Sequence, residues 1–346
     1  MMIPSDPIVG VDVGASTISA GLVAADGAVL ATAQAPTKGE GSMVDNIFAL
    51  IDRALAAAAE RGLSVSGIGV GLPGLVDVEK GFMRSIPFGW LTELGDVPLA
   101  ALIQERSGHA VFVDNDVNAL TLGEWMFGLG RGAASLVTLA IGTGMGGGLI
   151  LEGRLIRGHH HSAGEIGHMS VSMAGPRCVC GSIGCLATYV AGGMMPERAR
   201  ERLGAYPRSS VLVRAGGDPG RISAPLLFEE AAAGDPLARA VIDEACEAVA
   251  MGVGMLAGVL NPEIIVITGG VATSLAPLQD DILRRVRRRG LPSTLEATTI
   301  RVAPADKRGT VRGGAALVLY EMARRDTSGV EPPVALRGAG AMRREA

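Results

Sequence analysis

The 346-residue chain is predicted to be an α/β protein of two lobes, built as a duplication with a cleft between the lobes. Three observations predict it. The length exceeds one ordinary core and fits two. Hydrophobic residues make up 48% and aromatics only 3%, so the core must be Ala, Val, Leu and Ile around 50 glycines, a globular α/β composition. The pattern strand, glycine turn, strand opens the chain in "PIVGVDVGASTISAGLVAADGAVLATAQAP" and restarts in "SLVTLAIGTGMGGGLILEGRL".

In the first half, alternating apolar residues flank Ala25-Asp26-Gly27, a hairpin signal. Helical spacing follows over Asn46 to Arg61, and "SGIGVGLPGLVD" is a strand running into a Gly-Pro turn, giving the order β-β-β-α-β. "AVFVDNDVNALTLGEWMFG" is a strand that ends at Asp114 to Asp116 and enters a helix. In the second half, helices are expected around Ala191 to Leu203 and over Pro236 to Leu260. The strand "PEIIVITGG", a helix in "LRRVRRRG" and a closing helix in "RGTVRGGAALVLYEMARR" complete it. The expected division is a small lobe of residues 1–117 plus 309–325 and a large lobe of residues 118–308. Residues 326–346 carry Gly, Pro and charge without periodicity and read as a mobile tail.

A formal charge of -4 supplies no basic field for nucleic acid. The basic run at Leu283 to Gly290 has an apolar side in Ile282, Leu283 and Val286, so it reads as a solvated helix face. The N-terminus lacks a basic start followed by an apolar stretch, and the apolar run Ala248 to Leu260 is interrupted by glycine and suits a core helix. A cytoplasmic protein without membrane partners is expected. Four unevenly placed cysteines do not suggest a disulfide framework.

Several constellations carry chemistry. In "DVGAST", Gly14 lets the backbone approach phosphate oxygens, Ser16 and Thr17 add hydroxyl donors, and Asp12 can hold a metal ion or its water. An ordinary hairpin turn would use the same residues. "GTGMGGG", with Gly142, Thr143, Gly144 and Gly146, offers N–H groups for a nucleotide's phosphates, and its recurrence at the corresponding place in the second half strengthens both readings. In "VDNDVNAL", Asp114, Asn115 and Asp116 cluster where a helix N-cap needs one polar side chain. A carboxylate there can accept the proton of a substrate hydroxyl as its oxygen attacks phosphorus, while the neighbouring amide fixes other hydroxyls.

In "AGEIGHMS", Glu165 and His168 share one face of a helical turn. They can bind adjacent hydroxyls, or the histidine can serve a metal through one ring nitrogen. Cys178, Cys180 and Cys185 are spaced C-x-C-x4-C, and with His168 they satisfy a closed, structural zinc site; three unpaired thiols are the alternative. Cys246 reads as a buried small apolar residue, and His159 to His161 as a solvated loop.

Together these motifs resemble the ROK family of sugar kinases and repressors, within the actin, hexokinase and Hsp70 ATPase superfamily. The resemblance runs from about Ile8 to about Tyr320 and is carried by "GEIGH" followed by "CVCGSIGC", with "VDNDVN" and "IGTGMGGGLI". It implies the two-lobed actin-like ATPase fold, a ribonuclease H-like duplication. It also implies an ATP- and Mg2+-dependent kinase acting on the 6-hydroxyl of a hexose, with glucose the default. By the same resemblance Asp116 is the base, and Gly74 of "GLPG", Asn115, Asp116, Glu165 and His168 meet the sugar. Asp12, Gly14, Ser16, Thr17, Gly142, Thr143, Gly144 and Gly146 fall in the two ATP phosphate loops, and Gly269 and Gly270 of "TGGVA" lie beside adenosine. His168, Cys178, Cys180 and Cys185 match ligands of a structural Zn2+, and the family commonly forms dimers or tetramers.

Two positions depart from the family pattern. The first loop usually reads D-x-G-G-T-K, whereas Ala15, Ser16 and Thr17 follow Gly14 here. After the last cysteine the family usually has C-L-E or C-W-E, whose glutamate accepts hydrogen bonds from the sugar near its anomeric end; this chain has Ala187. Another hexose or an N-acetylhexosamine therefore stands as an alternative acceptor. The competing class is a sugar-sensing ROK regulator. Such proteins carry a winged helix-turn-helix ahead of the first phosphate loop, where only seven residues precede Ile8 here.

Overall fold

A computed structural model describes residues 6–38, 41–84, 92–306 and 309–326. The tail expected from residue 326 lies, from residue 327 on, outside the described residues. β1 (Ile8–Val13), β2 (Thr17–Val23) and β3 (Val29–Pro36) pair antiparallel in succession. α1 (Met43–Ala59) crosses to β4 (Ile68–Leu72), parallel to β1. A short hairpin, β5 (Val76–Asp77) and β6 (Phe82–Met83), precedes α2 (Leu99–Ser107) and β7 (Val111–Asn115), which is parallel to β4. The first sheet therefore runs β3-β2-β1-β4-β7, and α3 (Asp116–Phe127) follows β7 directly.

Central β4 is buried along its whole length, while edge strand β3 alternates between half-buried and exposed residues. The first helix starts earlier than its apolar spacing predicts. Ser42 caps it by accepting a hydrogen bond from Asp45 N, and Ile47, Leu50, Ile51, Ala54 and Ala58 fill its core face.

The second sheet comprises β8 (Leu136–Ile141), β9 (Met145–Leu151), β10 (Arg154–Leu155), β11 (Ile264–Thr268) and β12 (Thr299–Val302), in the order β10-β9-β8-β11-β12. Between β10 and β11 come α4 (Ala187–Val190), α5 (Met195–Arg200), α6 (Val211–Arg214), α7 (Ala224–Ala233) and α8 (Pro236–Leu260). α9 (Gly270–Leu275), α10 (Gln279–Val286) and α11 (Pro292–Ala297) separate β11 from β12, and α12 (Gly309–Asp326) closes the chain's described part. Two five-stranded sheets with intervening helices match the expected α/β duplication.

The helix expected over Ala191 to Leu203 is instead broken between α4 and α5. Gly192 and Gly193 donate their N–H groups to the Gly142 and Thr143 carbonyls, at 2.8 and 2.9 Å, and so leave the helical ladder. α8 has the bounds its apolar spacing predicts, with Asp235 capping its start and Asn261 ending it at φ +43°. Among the described residues no helix is long and apolar enough to cross a membrane.

The described residues divide into two compact units, those within 1–136, 149–163 and 309–326 in the first and those within 137–148 and 164–306 in the second. The sequence-based division differs, because it assigns all of 118–308 to one lobe. α3 belongs with the first unit because α12 nests against β1, β4 and α3 through glycines. A Cβ on Gly10 would stand 1.9 Å from the Val311 carbonyl oxygen, one on Gly69 1.9 Å from that of Gly314, and one on Gly123 3.1 Å from Gly313 Cα. Backbones approach this closely only where side chains are missing.

Candidate functional site

In the first unit the carboxyl ends of β1, β4 and β7 lie side by side. Asp12 is in register with Gly71, and Gly71 with Asp114. Open α/β sheets collect site residues at this edge. Asp12, Gly74, Asn115 and Asp116 all fall on it or within two residues of a strand end.

The three polar residues at the β7–α3 junction divide their work. Asn115 caps α3, its Oδ1 accepting from Val117 N at 2.9 Å and Asn118 N at 3.1 Å. Its Nδ2 donates to the Gly74 carbonyl at 3.1 Å, which ties the "GLPG" turn to the junction; Gly74 itself sits at φ +81°. Asp116, half-buried, accepts from Val117 N at 2.9 Å. It stands in the first turn of α3, where the helix dipole favours a carboxylate.

Asp114 is committed to the core. It is 1% exposed, accepts from Asn115 N and Asn118 Nδ2, and pairs with Arg157 at 2.7 Å. Arg157 also pairs with Glu321 at 2.6 Å and lies over the Tyr320 ring. Burial alone would lower the Arg157 pKa, but the charges of Asp114 and Glu321 outweigh it and raise it. No local sequence signal marks Arg157, Tyr320 or Glu321, since their partners are distant in the chain.

The turn after β1 is closed by Gly14 N donating to Thr17 O at 3.0 Å, and Thr37 Oγ1 donates to Gly14 O at 2.8 Å. Ser16 is exposed and Thr17 half-buried. Burial pushes the Asp12 carboxyl up to about 6, against a hydrogen bond with Thr310 that lowers it. Its folded value lies above the reference of 3.8, so folding binds the proton more tightly; that stability is fully present below about pH 4 and is lost as pH rises through about 6. Asp12→Asn is therefore expected to stabilise the chain by about 1 to 3 kcal/mol near neutral pH, shrinking to a small fraction of that near pH 4. Urea titrations at both pH values check this, and a gain independent of pH would contradict it.

In the second unit the glycine-rich segment serves two ends. Gly142 N donates to Gly144 O at 2.9 Å in a tight turn, and a Cβ on either residue would meet open space. Gly269, at φ +104°, brings the end of β11 against β8, where its Cβ would stand 2.5 Å from the Ile141 carbonyl oxygen. The turn with Gly142, Thr143 and Gly144 thus adjoins Gly269 and Gly270, and Gly146 follows in β9. Gly147 has a packing role the sequence reading missed. A Cβ there would lie 2.4 Å from the Ile166 side chain, and one on Gly167 2.4 Å from the Met145 carbonyl oxygen. β9 is thereby pressed onto the turn that carries Glu165 and His168.

Glu165 precedes a 3-10 turn over Ile166–His168, with His168 N donating to Glu165 O at 3.0 Å. Desolvation pushes the Glu165 carboxyl above its ordinary range, against the pull of His168. One donor atom from each of His168, Cys178, Cys180 and Cys185 lies within 4.8 Å of the others. Cys178 Sγ is 3.5 Å from His168 Nδ1, and Cys180 Sγ is 3.6 Å from Cys185 Sγ. Tetrahedral zinc, with bonds of about 2.3 Å to sulfur and about 2.0 Å to nitrogen, separates adjacent ligands by about 3.5 to 3.8 Å, so the donor set fits that ion. Burial and the neighbouring sulfurs push the Cys185 thiol up to about 12. The knuckle depends on Gly184, at φ +68°, where a Cβ would meet the Ser172 carbonyl oxygen at 1.9 Å. Ala187 opens α4 and is buried.

The profile of the ROK family matches residues 8–321. The chain is 32% identical over 319 residues to a glucokinase of Thermotoga maritima, covering 91% of this chain and 98% of that one. Among solved structures, a ROK family glucokinase from Streptomyces griseus in complex with glucose and AMPPNP superposes with a TM-score of 0.70 at 30% identity, over 92% of this chain and 99% of that one. A xylose repressor of Caldicellulosiruptor bescii is 29% identical over 320 residues, covering 91% of this chain and 78% of that one.

Proposed function

The chain belongs to the ROK family, and from that premise we propose that it transfers the γ-phosphoryl group of ATP to the 6-hydroxyl of a hexose, glucose being the default acceptor. The observation that carries the reading is the β7–α3 junction. Asp116 stands at the amino end of a helix, beside an Asn115 already tied to the "GLPG" turn and on the same sheet edge as Asp12.

In this reading Asp116 takes the proton of the 6-hydroxyl as that oxygen attacks phosphorus. Gly74, Asn115, Glu165 and His168 hold the other hydroxyls, so the attacking oxygen is oriented before it reacts. Gly14, Ser16, Thr17, Gly142, Thr143, Gly144 and Gly146 supply backbone and hydroxyl donors to the phosphates, and Gly269 and Gly270 border the adenosine. Asp12 would hold Mg2+, directly or through water, and the ion when bound offsets charge on the phosphates. His168 Nδ1 with Cys178, Cys180 and Cys185 would hold Zn2+, which leaves Nε2 of His168 for a sugar hydroxyl. Dependence on ATP suits the cytoplasm.

Ala187 decides how far glucose can be assumed. A hydroxyl that meets no acceptor there loses roughly 1 to 3 kcal/mol, enough to favour a different hexose or an N-acetylhexosamine. An ADP-release screen over hexoses and hexosamines, run on wild type and Ala187→Glu, tests both points. Wild type is expected to turn over at least one sugar, and A187E to raise kcat/KM for glucose about 5- to 100-fold. No change for glucose would remove Ala187 from the argument. Silence on every sugar, with sugar binding retained, would favour the sensor class to which the repressor relative belongs.

A further inference from the structure

The turn after β1 is braced from outside. Between Gly14 and Thr17 the hairpin has two loop residues, Ala15 and Ser16. Two-residue loops ordinarily take a positive φ at one or both of those positions, because that geometry matches the twist of the strands. Neither Ala15 nor Ser16 has one. The turn therefore lacks the shape that closes such a hairpin unaided, and of its two cross-turn bonds only Gly14 N to Thr17 O, at 3.0 Å, is made.

Thr37 supplies the brace. It stands one residue beyond β3 and is 2% exposed. Its N–H donates to Ser16 O at 3.1 Å and its Oγ1 to Gly14 O at 2.8 Å, so a single residue holds the carbonyls of two alternate peptide groups in the turn. The β2–β3 register ends at Pro36, which has no N–H to give, and Thr37 provides the next one.

A planar trans peptide points the C=O of one residue and the N–H of the next in opposite directions, and no peptide among the described residues is cis. With Gly14 O drawn to Thr37, the Ala15 N–H is turned away from it. Ser16 O does the same for the Thr17 N–H. Neither amide has a hydrogen-bond partner within the protein among the described residues. Backbone N–H groups presented on one side of a turn form an anion-binding concavity, and "DVGAST" has no lysine or arginine to serve instead.

We propose that Thr37 is a positioning residue for the phosphoryl donor, holding the turn so that the Ala15 and Thr17 amides meet phosphate oxygens of ATP. This rests on the reading that the chain binds ATP. Thr37 itself is buried behind the turn and acts through Gly14 and Ser16.

Thr37→Val keeps the shape and the backbone N–H and removes only the hold on Gly14 O, whereas Thr37→Ser keeps that hydroxyl. Steady-state kinetics with the best acceptor from the hexose screen should show the MgATP KM raised about three- to tenfold in T37V, with the sugar KM within about twofold of wild type. T37S should stay within about twofold on both. If T37V does not fold, Thr37→Ala is read by the same criteria. An unchanged MgATP KM overturns the proposal, as does an equal rise in both KM values or a T37S that loses as much as T37V. Calorimetric titration with MgAMPPNP separates this from failure of the kinase reading. A wild type that binds MgAMPPNP but releases no ADP with any sugar defeats the kinase reading alone, and the same three- to tenfold loss must then appear in Kd for T37V. A wild type that binds no MgAMPPNP overturns both.

Discussion

Asp116→Asn is expected to lower kcat about 10²- to 10⁴-fold while leaving sugar affinity within about threefold of wild type. The substitution is nearly isosteric, and the amide oxygen can still accept from Val117 N, so the start of α3 is preserved. What it removes is the ability to take a proton. Asn115 keeps its hold on Gly74 and on the first turn of α3, so the "GLPG" turn and the start of the helix stay in place. A coupled ADP assay gives kcat, and titration with the sugar gives affinity. Turnover within about threefold of wild type would mean that another group takes the proton.

Removing zinc is expected to produce the largest loss of stability. The purified chain should carry about one zinc per molecule, and Cys180→Ser or a strong chelator should lower Tm by roughly 10 °C or more. The reason lies in how little the knuckle buries: Met173, Val179 and Ile183 are 96%, 68% and 42% exposed. A segment that contributes so few apolar contacts relies on its ligands for order. Because His168 would be one of the four ligands and closes the turn begun by Glu165, chelation should raise the sugar KM as well. Metal analysis and thermal denaturation decide the matter. Well under one zinc per chain, together with full thermal stability, would exclude a structural ion.

Features set by neighbours in sequence were legible before the structure. The cysteine spacing already assembles the donor set, since its three thiols lie within one loop and His168 just precedes it. The bounds of α8 follow from apolar spacing between Asp235 and Asn261. Features set by distant partners were not legible. Asp114 looks like a site residue beside Asn115 and Asp116 until Arg157, 43 positions later, and Glu321, a further 164 positions on, are seen to bury it in an ion-paired chain. Composition hides the same distinction within the glycine run. Gly142 and Gly144 face open space, whereas Gly147 is dictated by the Ile166 side chain packed against it. The run His159 to His161 hid its detail for a different reason, because three identical residues conceal that only His161 has a left-handed backbone, at φ +58°.

The glycine nest between α12 and β1 has a consequence for biosynthesis. Gly10 lies against Val311 and Gly69 against Gly314, so the face of the first sheet acquires its cover only once residues 309–326 have left the ribosome. Residues 137–148 and 164–306 are by then all available to form their own core. The unit that holds β1 and β4 thus cannot complete its core before the second unit's residues have been synthesised. Until it does, apolar side chains of β1 and β4 await their helix, which is the interval in which a chaperone has most to protect.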